Sequence, residues 1–358
     1  MAALTMSVHA HSPVHAGRRR ALRMRRWGAV LMVWACTGWN TSALAQSAAP
    51  TAVTPARSVA EWLTRLHEAS RQRSYIGTLV VSAGSAMSAS KIWHVCEGSQ
   101  QIERVETLTG VPRTTMRRNS EVITFQPDTR QAVVEKRESL GMFPEILPAQ
   151  SGNIEQYYGA REVGSQRIAG HVADTVEFVP RDEWRFGYRI WSEKKSGLII
   201  KLQTLGQEGQ VLEQVAFSEL QLDAPVSLDK LSRLMKDTRG YEVVRPVLRK
   251  TTAQAEGWRL RETVPGFSPM SCHTREGAAA DARAPGQAPM QWVFSDGLAS
   301  VSLFVEPFDV QRHGKEEQFA MGATHSVSRR VGEHWVTAMG EVPAATLQRF
   351  AESLERTR

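Results

Sequence analysis

The side chains that could do chemistry are scattered along the 358-residue chain. Cys96 follows His94 by two positions, and Cys272 directly precedes His273. Two thiols and two imidazoles could ligate a metal, but zinc ligands come in tight pairs, and each cysteine here stands alone in its segment. Ordinary strand residues explain both segments better, so no metal is expected. Cys96 and Cys272 could form a disulfide, remain free thiols, or respond to redox state, because a bridge needs Cα atoms within about 7 Å and spacing along the chain does not fix that distance. The chain has no Gly-x-Ser-x-Gly elbow, His-Glu-x-x-His pair, glycine-rich phosphate loop, Cys-x-x-Cys pair or calcium loop. Serine, histidine and acidic residues are plentiful, yet nothing nominates members of a dispersed triad. An enzyme is the weaker class, and no catalytic residue or cofactor is expected.

Charge points away from nucleic acid as well. The net charge is +7, but six arginines lie within residues 1–45 (Arg18, Arg19, Arg20, Arg23, Arg25 and Arg26), a stretch with no acidic residue. Taking these six from the 44 basic side chains leaves 38 against 37 acidic ones, a net charge of +1. No basic field survives to attract a polyanion. The arginines precede an apolar stretch, Trp27 to Trp39, and then Thr41-Ser42-Ala43-Leu44-Ala45, a small-x-small site before Gln46. That order reads as a secretory signal peptide over 1–45, with either Met1 or Met24 as its start. Twin-arginine export at Arg25-Arg26 and lipidation at Cys36 fit less well, since Gly28 and Ala29 replace the usual apolar residues and Trp34 crowds Cys36. Beyond the leader no apolar run reaches the roughly 18 residues needed to span a bilayer.

The elements that would position functional side chains follow from periodicity. Residues 46–57, rich in Ala, Pro, Ser and Thr, read as a tether. Ser58 and Glu61 form a capping box, followed by Val59, Trp62, Leu63 and Leu66 on one helical face. From Tyr75 the pattern changes to short strands: 75–82, 91–97, 101–108, 121–126 and 131–136. Residues 154–160 read as a short helix, and a strand follows near 173–179. Residues 188–193, 198–205 and 211–222 form a three-strand meander with turns at Lys194-Lys195-Ser196-Gly197 and Gly206-Gln207-Glu208-Gly209. Residues 226–250, with Leu228, Leu231, Leu234 and Met235 at helical intervals, are expected to link this domain (58–225) to a second one (251–358). The second holds the low-complexity loop 277–289, a hairpin at Asp296-Gly297 between 290–295 and 298–306, a strand at 334–339, and a last helix opened by Pro343. The Asp296-Gly297 pair is explained by turn geometry alone, which makes the hairpin a scaffold.

A long meander with a helix laid on it tends to curl, and a curled sheet not filled by its own side chains leaves a cavity. Leu79, Val81, Ile92, Trp93, Val122, Phe178, Ile190, Ile200 and Leu202 are the candidates to line one. Any one of them is more often plain core. Trp184 and Trp191 are similarly read as core or rim aromatics, and Arg117-Arg118 and Lys194-Lys195 as solvated pairs that could also meet anionic headgroups.

The run Tyr188-Arg189-Ile190-Trp191-Ser192, then Ser196-Gly197-Leu198, Val211-Leu212-Glu213-Gln214-Val215 and Phe217-Ser218-Glu219-Leu220, resembles the large domain of the RseB/MucB periplasmic regulators. Tyr75-Ile76-Gly77-Thr78-Leu79-Val80 resembles the start of that domain. The stretches from Trp292 to Glu306 and from Val336 to Thr346 resemble its small domain, so the likeness covers nearly the whole chain after the leader. The resemblance implies an α+β fold with two parts. The first is a large N-terminal unclosed antiparallel β-barrel with helices, similar to the lipoprotein carrier LolA. The second is a small C-terminal antiparallel sheet with a helix that contributes to partner binding. It implies a non-enzymatic periplasmic protein that binds the periplasmic domain of an anti-sigma factor and shields it from site-1 proteolysis. Release would follow binding of lipopolysaccharide or acylated envelope components in the large domain. The alternative within the same cavity is a periplasmic lipoprotein or lipid carrier, and a homo-oligomer is open. Neither spacing nor resemblance names partner-contact residues.

Overall fold

A computed structural model describes residues 57–136, 154–276 and 288–357, all within one compact unit, Thr54–Arg358. The expected leader 1–45, the tether up to residue 56 and residues 277–287 of the low-complexity loop lie outside the described residues.

Helix α1 (Val59–Gln72) begins as its capping box requires. The Ser58 hydroxyl accepts the Glu61 N–H at 3.2 Å, and the Glu61 carboxylate accepts the Ser58 N–H at 2.7 Å. Its Val59, Trp62, Leu63, Leu66 and Ala69 are buried. Strands β1 (Tyr75–Ala83), β2 (Ala86–Glu97), β3 (Gln100–Thr107), β4 (Thr114–Arg118), β5 (Glu121–Gln126) and β6 (Gln131–Lys136) form an antiparallel meander. After the one-turn α2 (Ile154–Tyr157), β7 (Tyr158–Ile168), β8 (His171–Pro180), β9 (Gly187–Glu193), β10 (Ile199–Leu205) and β11 (Val211–Leu222) form a second. β11 pairs with β1 and joins the two meanders into one sheet. Gly77 permits that seam, because a Cβ there would lie 2.6 Å from the Phe217 ring.

The chain then enters α3 (Leu228–Lys236) and β12 (Glu242–Val244), which pairs parallel with β6. The resulting order is β12-β6-β5-β4-β3-β2-β1-β11-β10-β9-β8-β7. β12 and β7 are its two edges, so the sheet is unclosed. It curls nonetheless: Ile168 and Ala169, at the turn between β7 and β8, pack on the cluster that holds Leu220 and Leu222 of β11, and the His171 ring bonds the Leu220 carbonyl at 3.0 Å.

A second sheet is built from β13 (Val247–Lys250), β15 (Ser268–Glu276), β16 (Met290–Ser295), β17 (Ser300–Pro307), β18 (Glu317–Met321), β19 (Thr324–Val331) and β20 (His334–Gly340). Their order is β13-β15-β16-β17-β20-β19-β18. Helix α4 (Ala344–Ser353) packs on β19 and β20, burying Leu347, Phe350 and Ala351 against Val301, Leu303, Val336 and Ala338. The short pair β14 (Trp258–Leu260) and β21 (Leu354–Arg356) closes one side. The whole is therefore an α+β protein with a large unclosed sheet, a smaller second sheet and few helices.

Three expectations are corrected. The short helix at 154–160 stops at Tyr157, where β7 begins; β7 is an edge strand whose middle is exposed, so it shows no alternation. Residues 226–250 are not a free connector: α3 and β12 belong to the large sheet and β13 to the small one. Strands β4, β15, β18 and β19 have no counterpart among the expected strands; β4 buries Met116 alone, β18 buries nothing and β19 buries Val327 alone, so these three show no alternation.

Candidate binding face and interdomain junction

Strand register assigns each candidate residue to a face. Pairing runs Val122 to Arg117, Glu103, His94 and Tyr75 across β5, β4, β3, β2 and β1, with Ile92, Leu79 and Val81 at alternate positions of the same strands. Across the seam, Val81 pairs with Val215, then Leu202, then Ile190. Ile190 pairs with Val176, and Phe178 with Tyr188, on the same side. Leu79, Val81, Ile92, Val122, Phe178, Ile190 and Leu202 thus share one continuous face. Trp93 points to the other face, where it packs with α3 beside Val134 and Val243. Ile200 sits at the register shift between Ile199 and Lys201 and packs with Trp191.

The two helices cover opposite faces at opposite ends of the sheet. α1 lies on the shared face with Val176, Phe178, Tyr188, Ile190 and Leu202 beneath it. α3 lies on the other face, with Leu231 and Met235 over Val95, Ile102, Met116, Ile123 and Phe125. Seven of the nine candidates are buried and two, Val81 and Trp93, are half-buried. Among the described residues no helix lies on the shared face of β3 to β6. There Val105, Thr115, Thr124 and Val133 are half-buried in register with Ile92 and Val122. Val81 and Val105 also fringe the packed cluster of Leu79, Ile92, Val215 and Phe217. Arg118 bonds Gln100, while Lys194 and Lys195 lie in the β9–β10 turn.

A polar group is built into this face. The buried His94 Nδ1–H donates to the Arg73 carbonyl at 2.7 Å, which leaves Nε2 to accept the Gln101 amide N–H at 2.6 Å. Tyr75 stacks on the ring at 4.9 Å, and Arg117 donates to Glu103 at 3.1 Å alongside. Burial lowers the His94 pKa, against the opposing pull of the Glu103 charge, so the ring is neutral. Cys96 and Cys272 are both free, the first half-buried on β2 and the second buried on β15. Burial raises both thiol pKa values, that of Cys272 to about 11.

The Asp296-Gly297 turn does more than its geometry requires, which corrects the reading of the hairpin as scaffold alone. Asp296 Oδ1 accepts the N–H groups of Leu298 and Ala299 at 2.9 and 2.7 Å, as a turn carboxylate does. Its Oδ2 accepts Arg185 at 2.6 Å and the Tyr158 hydroxyl at 3.3 Å, both from the large sheet's side. The Arg185 and Asp296 side chains are each 0% exposed. Arg185 also donates to Asp182 at 2.8 Å and to the Pro265 carbonyl at 2.6 Å, and lies over the rings of Tyr157 and Phe267. Burial works against the Arg185 charge, yet Asp182 and Asp296 raise its pKa. Burial likewise raises the Asp296 carboxyl, with Arg185 pulling it back. Leu298 completes the cluster under α1, and Thr346 donates to the Trp184 carbonyl at 2.8 Å. Sequence spacing could not show this junction, because Arg185 and Asp296 are distant in the chain and each has an ordinary local context.

A broad apolar face and a buried interdomain joint, both built from strands and turns, define a two-domain binding protein. Residues 58–235 match the MucB/RseB N-terminal domain and residues 252–355 the MucB/RseB C-terminal domain. The chain belongs to the MucB/RseB family. It is 29% identical over 312 residues to the sigma factor AlgU regulatory protein MucB of Pseudomonas aeruginosa, covering 84% of this chain and 92% of that one. It is 23% identical over 295 residues to the sigma-E factor regulatory protein RseB of Escherichia coli K12, covering 82% and 89%. Among solved structures, MucB in complex with MucA(peri) aligns at a TM-score of 0.63 with 27% identity, over 83% of this chain and 98% of that one. A MucA/MucB complex from Pseudomonas aeruginosa aligns at 0.64, over 84% and 99%.

Proposed function

We propose that this chain is a periplasmic negative regulator of an envelope-stress sigma factor. It holds the periplasmic domain of a membrane-spanning anti-sigma factor, shields it from site-1 proteolysis, and releases it when a lipid-like envelope component binds the large sheet. The observation that carries the reading is the family match across both domains, together with relatives whose solved structures are complexes of MucB with MucA. Residues 1–45 serve as the export leader.

The half-buried part of the shared face, from Val81 and Val105 to Thr124 and Val133, is the place for an acyl chain. Burial of apolar chain there contributes about 0.8 kcal/mol per CH₂, and a tenfold weakening of the partner needs only about 1.4 kcal/mol of coupling. Two or three methylenes that bind the released state better than the holding state suffice.

The test is protection. The host's anti-sigma periplasmic segment is digested with its site-1 protease with and without residues 46–358 of this protein. Cleavage should slow when the protein is present and recover on adding an acylated amphiphile. Cleavage at an unchanged rate would remove the regulator reading, and retention of amphiphile without protection would favour a carrier.

A further inference from the structure

The small sheet carries a buried imidazole that the function proposed above does not use. His313 lies in the segment between β17 and β18, and its ring stacks on Trp335 of β20 at 5.2 Å with an interplanar angle of 7°. Val336 and Ala338 of β20 pack with α4, so Trp335, by alternation, faces the other side of the sheet, where His313 covers it. Both residues are buried. Phe308 tilts against the two rings at 5.7 and 6.1 Å, and the Arg330 guanidinium of β19 lies over Phe308 at 4.1 Å.

Hydrogen bonds fix where the ring carries its proton. The Asp309 N–H donates to His313 Nδ1 at 2.8 Å. A backbone N–H can only donate, so Nδ1 is bare, and Nε2 bears the hydrogen and donates to Glu306 Oε1 at 3.2 Å. The same turn is closed by the His313 and Arg312 N–H groups, which donate to the Asp309 carbonyl at 2.7 and 3.1 Å. Arg312 donates to Glu306 Oε2 at 2.8 Å, so one carboxylate on β17 serves both a cation and a neutral ring. The other charged groups on the surrounding elements are engaged. Asp309 Oδ1 accepts the Gln311 N–H, Glu333 accepts the Arg330 side chain, and Glu316 accepts the Arg330 N–H. His334, next to Trp335 in the strand, meets the Trp258 ring edge-on.

We propose that His313 is a proton-operated latch: a proton taken up on Nδ1 expels the Asp309 N–H and opens the 309–313 turn, while the ring stays on Trp335 and Glu306. Two N–H groups cannot face one another at 2.8 Å, so the closed turn and the imidazolium exclude each other. The imidazolium keeps its Nε2–H bond to Glu306, now charge-assisted, and supplies the positive charge that Arg312 brings in the closed turn. The closed turn therefore binds fewer protons than the open one. Its stability is full above the range in which imidazoles titrate, about pH 5 to 8, and falls as pH drops through that range. The inference concerns the small sheet alone and does not depend on the identity of the partner.

Hydrogen exchange on the full chain tests it, with protection of residues 308–314 followed between about pH 5 and about pH 7.5 and corrected for intrinsic exchange. Protection should be about tenfold lower in acid, the factor supplied by a tenfold difference in proton affinity between the two arrangements. His313→Asn sets an amide oxygen where Nδ1 stands and takes up no proton, so its neutral-pH protection should persist in acid. Glu306→Gln keeps an acceptor for the Nε2–H but no charge for the imidazolium, and should move the acid loss to lower pH; it is the deciding variant if the first folds poorly. Equal protection at both ends of the range in the wild type would overturn the latch. So would an Asn variant that loses as much in acid as the wild type, or a Glu306→Gln protein whose acid loss is not displaced. An equal acid-induced loss in α3 would overturn it too, since the opening would then be global.

Discussion

His94 and the Arg185–Asp296 pair show how single residues set conditions on the fold. His94 is buried, neutral and fully bonded, with a pKa below that of the unfolded chain. The unfolded state therefore binds the extra proton first, and stability falls as pH drops below about 6.5. Urea titrations across that range should give a steeper acid loss in the wild type than in His94→Gln; parallel curves would contradict the neutral assignment. At the junction, Asp296→Asn or Arg185→Met should each cost about 3–5 kcal/mol, because a buried charge is left without its partner. The double variant should cost clearly less than the sum in denaturant unfolding, whereas strict additivity would mean that the pair does not act as a unit. His94 and Asp296 were visible in the sequence only as a neighbour of Cys96 and as half of a turn signal. Their roles depend on Arg73, Gln101 and Arg185, partners that local spacing cannot supply.

At the scale of elements, α1 and the 187–222 meander were legible because their signals are local. Ser58 and Glu61 cap the helix, Val59, Trp62, Leu63 and Leu66 mark its face, and glycine turns bound the strands, of which β9 and β10 are buried along nearly their whole length. β7 and β18 were not, since an exposed edge strand has no buried side to alternate with an open one. Register, too, is not legible in the sequence: Trp93 and Ile92, neighbours on β2, face opposite sides of the sheet and cannot line one surface. α1 offers a clean test of packing. Trp62 is 1% exposed and its indole N–H is buried without a partner. Trp62→Ala should cost about 3–5 kcal/mol, while Trp62→Phe, which removes the unbonded N–H, should cost less than half as much. Similar losses for both would mean that the indole nitrogen is bonded in solution.

For the molecule as a whole, one large curled sheet carries a face that is sealed by α1 at one end and half-buried at the other. A small sheet is locked to it by a buried ion pair. On the proposed function, a ligand on the half-buried part of the face and the partner would influence one another through the junction, provided that each prefers a different arrangement. Val81→Glu places a charge on the half-buried face and should weaken the response to an acylated amphiphile without changing partner affinity. Equal loss of both would place the partner on that face. The most direct measurement is the affinity of residues 46–358 for the host's anti-sigma periplasmic segment, by calorimetry, with and without a saturating acylated amphiphile. We predict specific binding that weakens at least tenfold when the amphiphile is present. Absent binding, or binding that the amphiphile leaves unchanged, would contradict a lipid-released regulator.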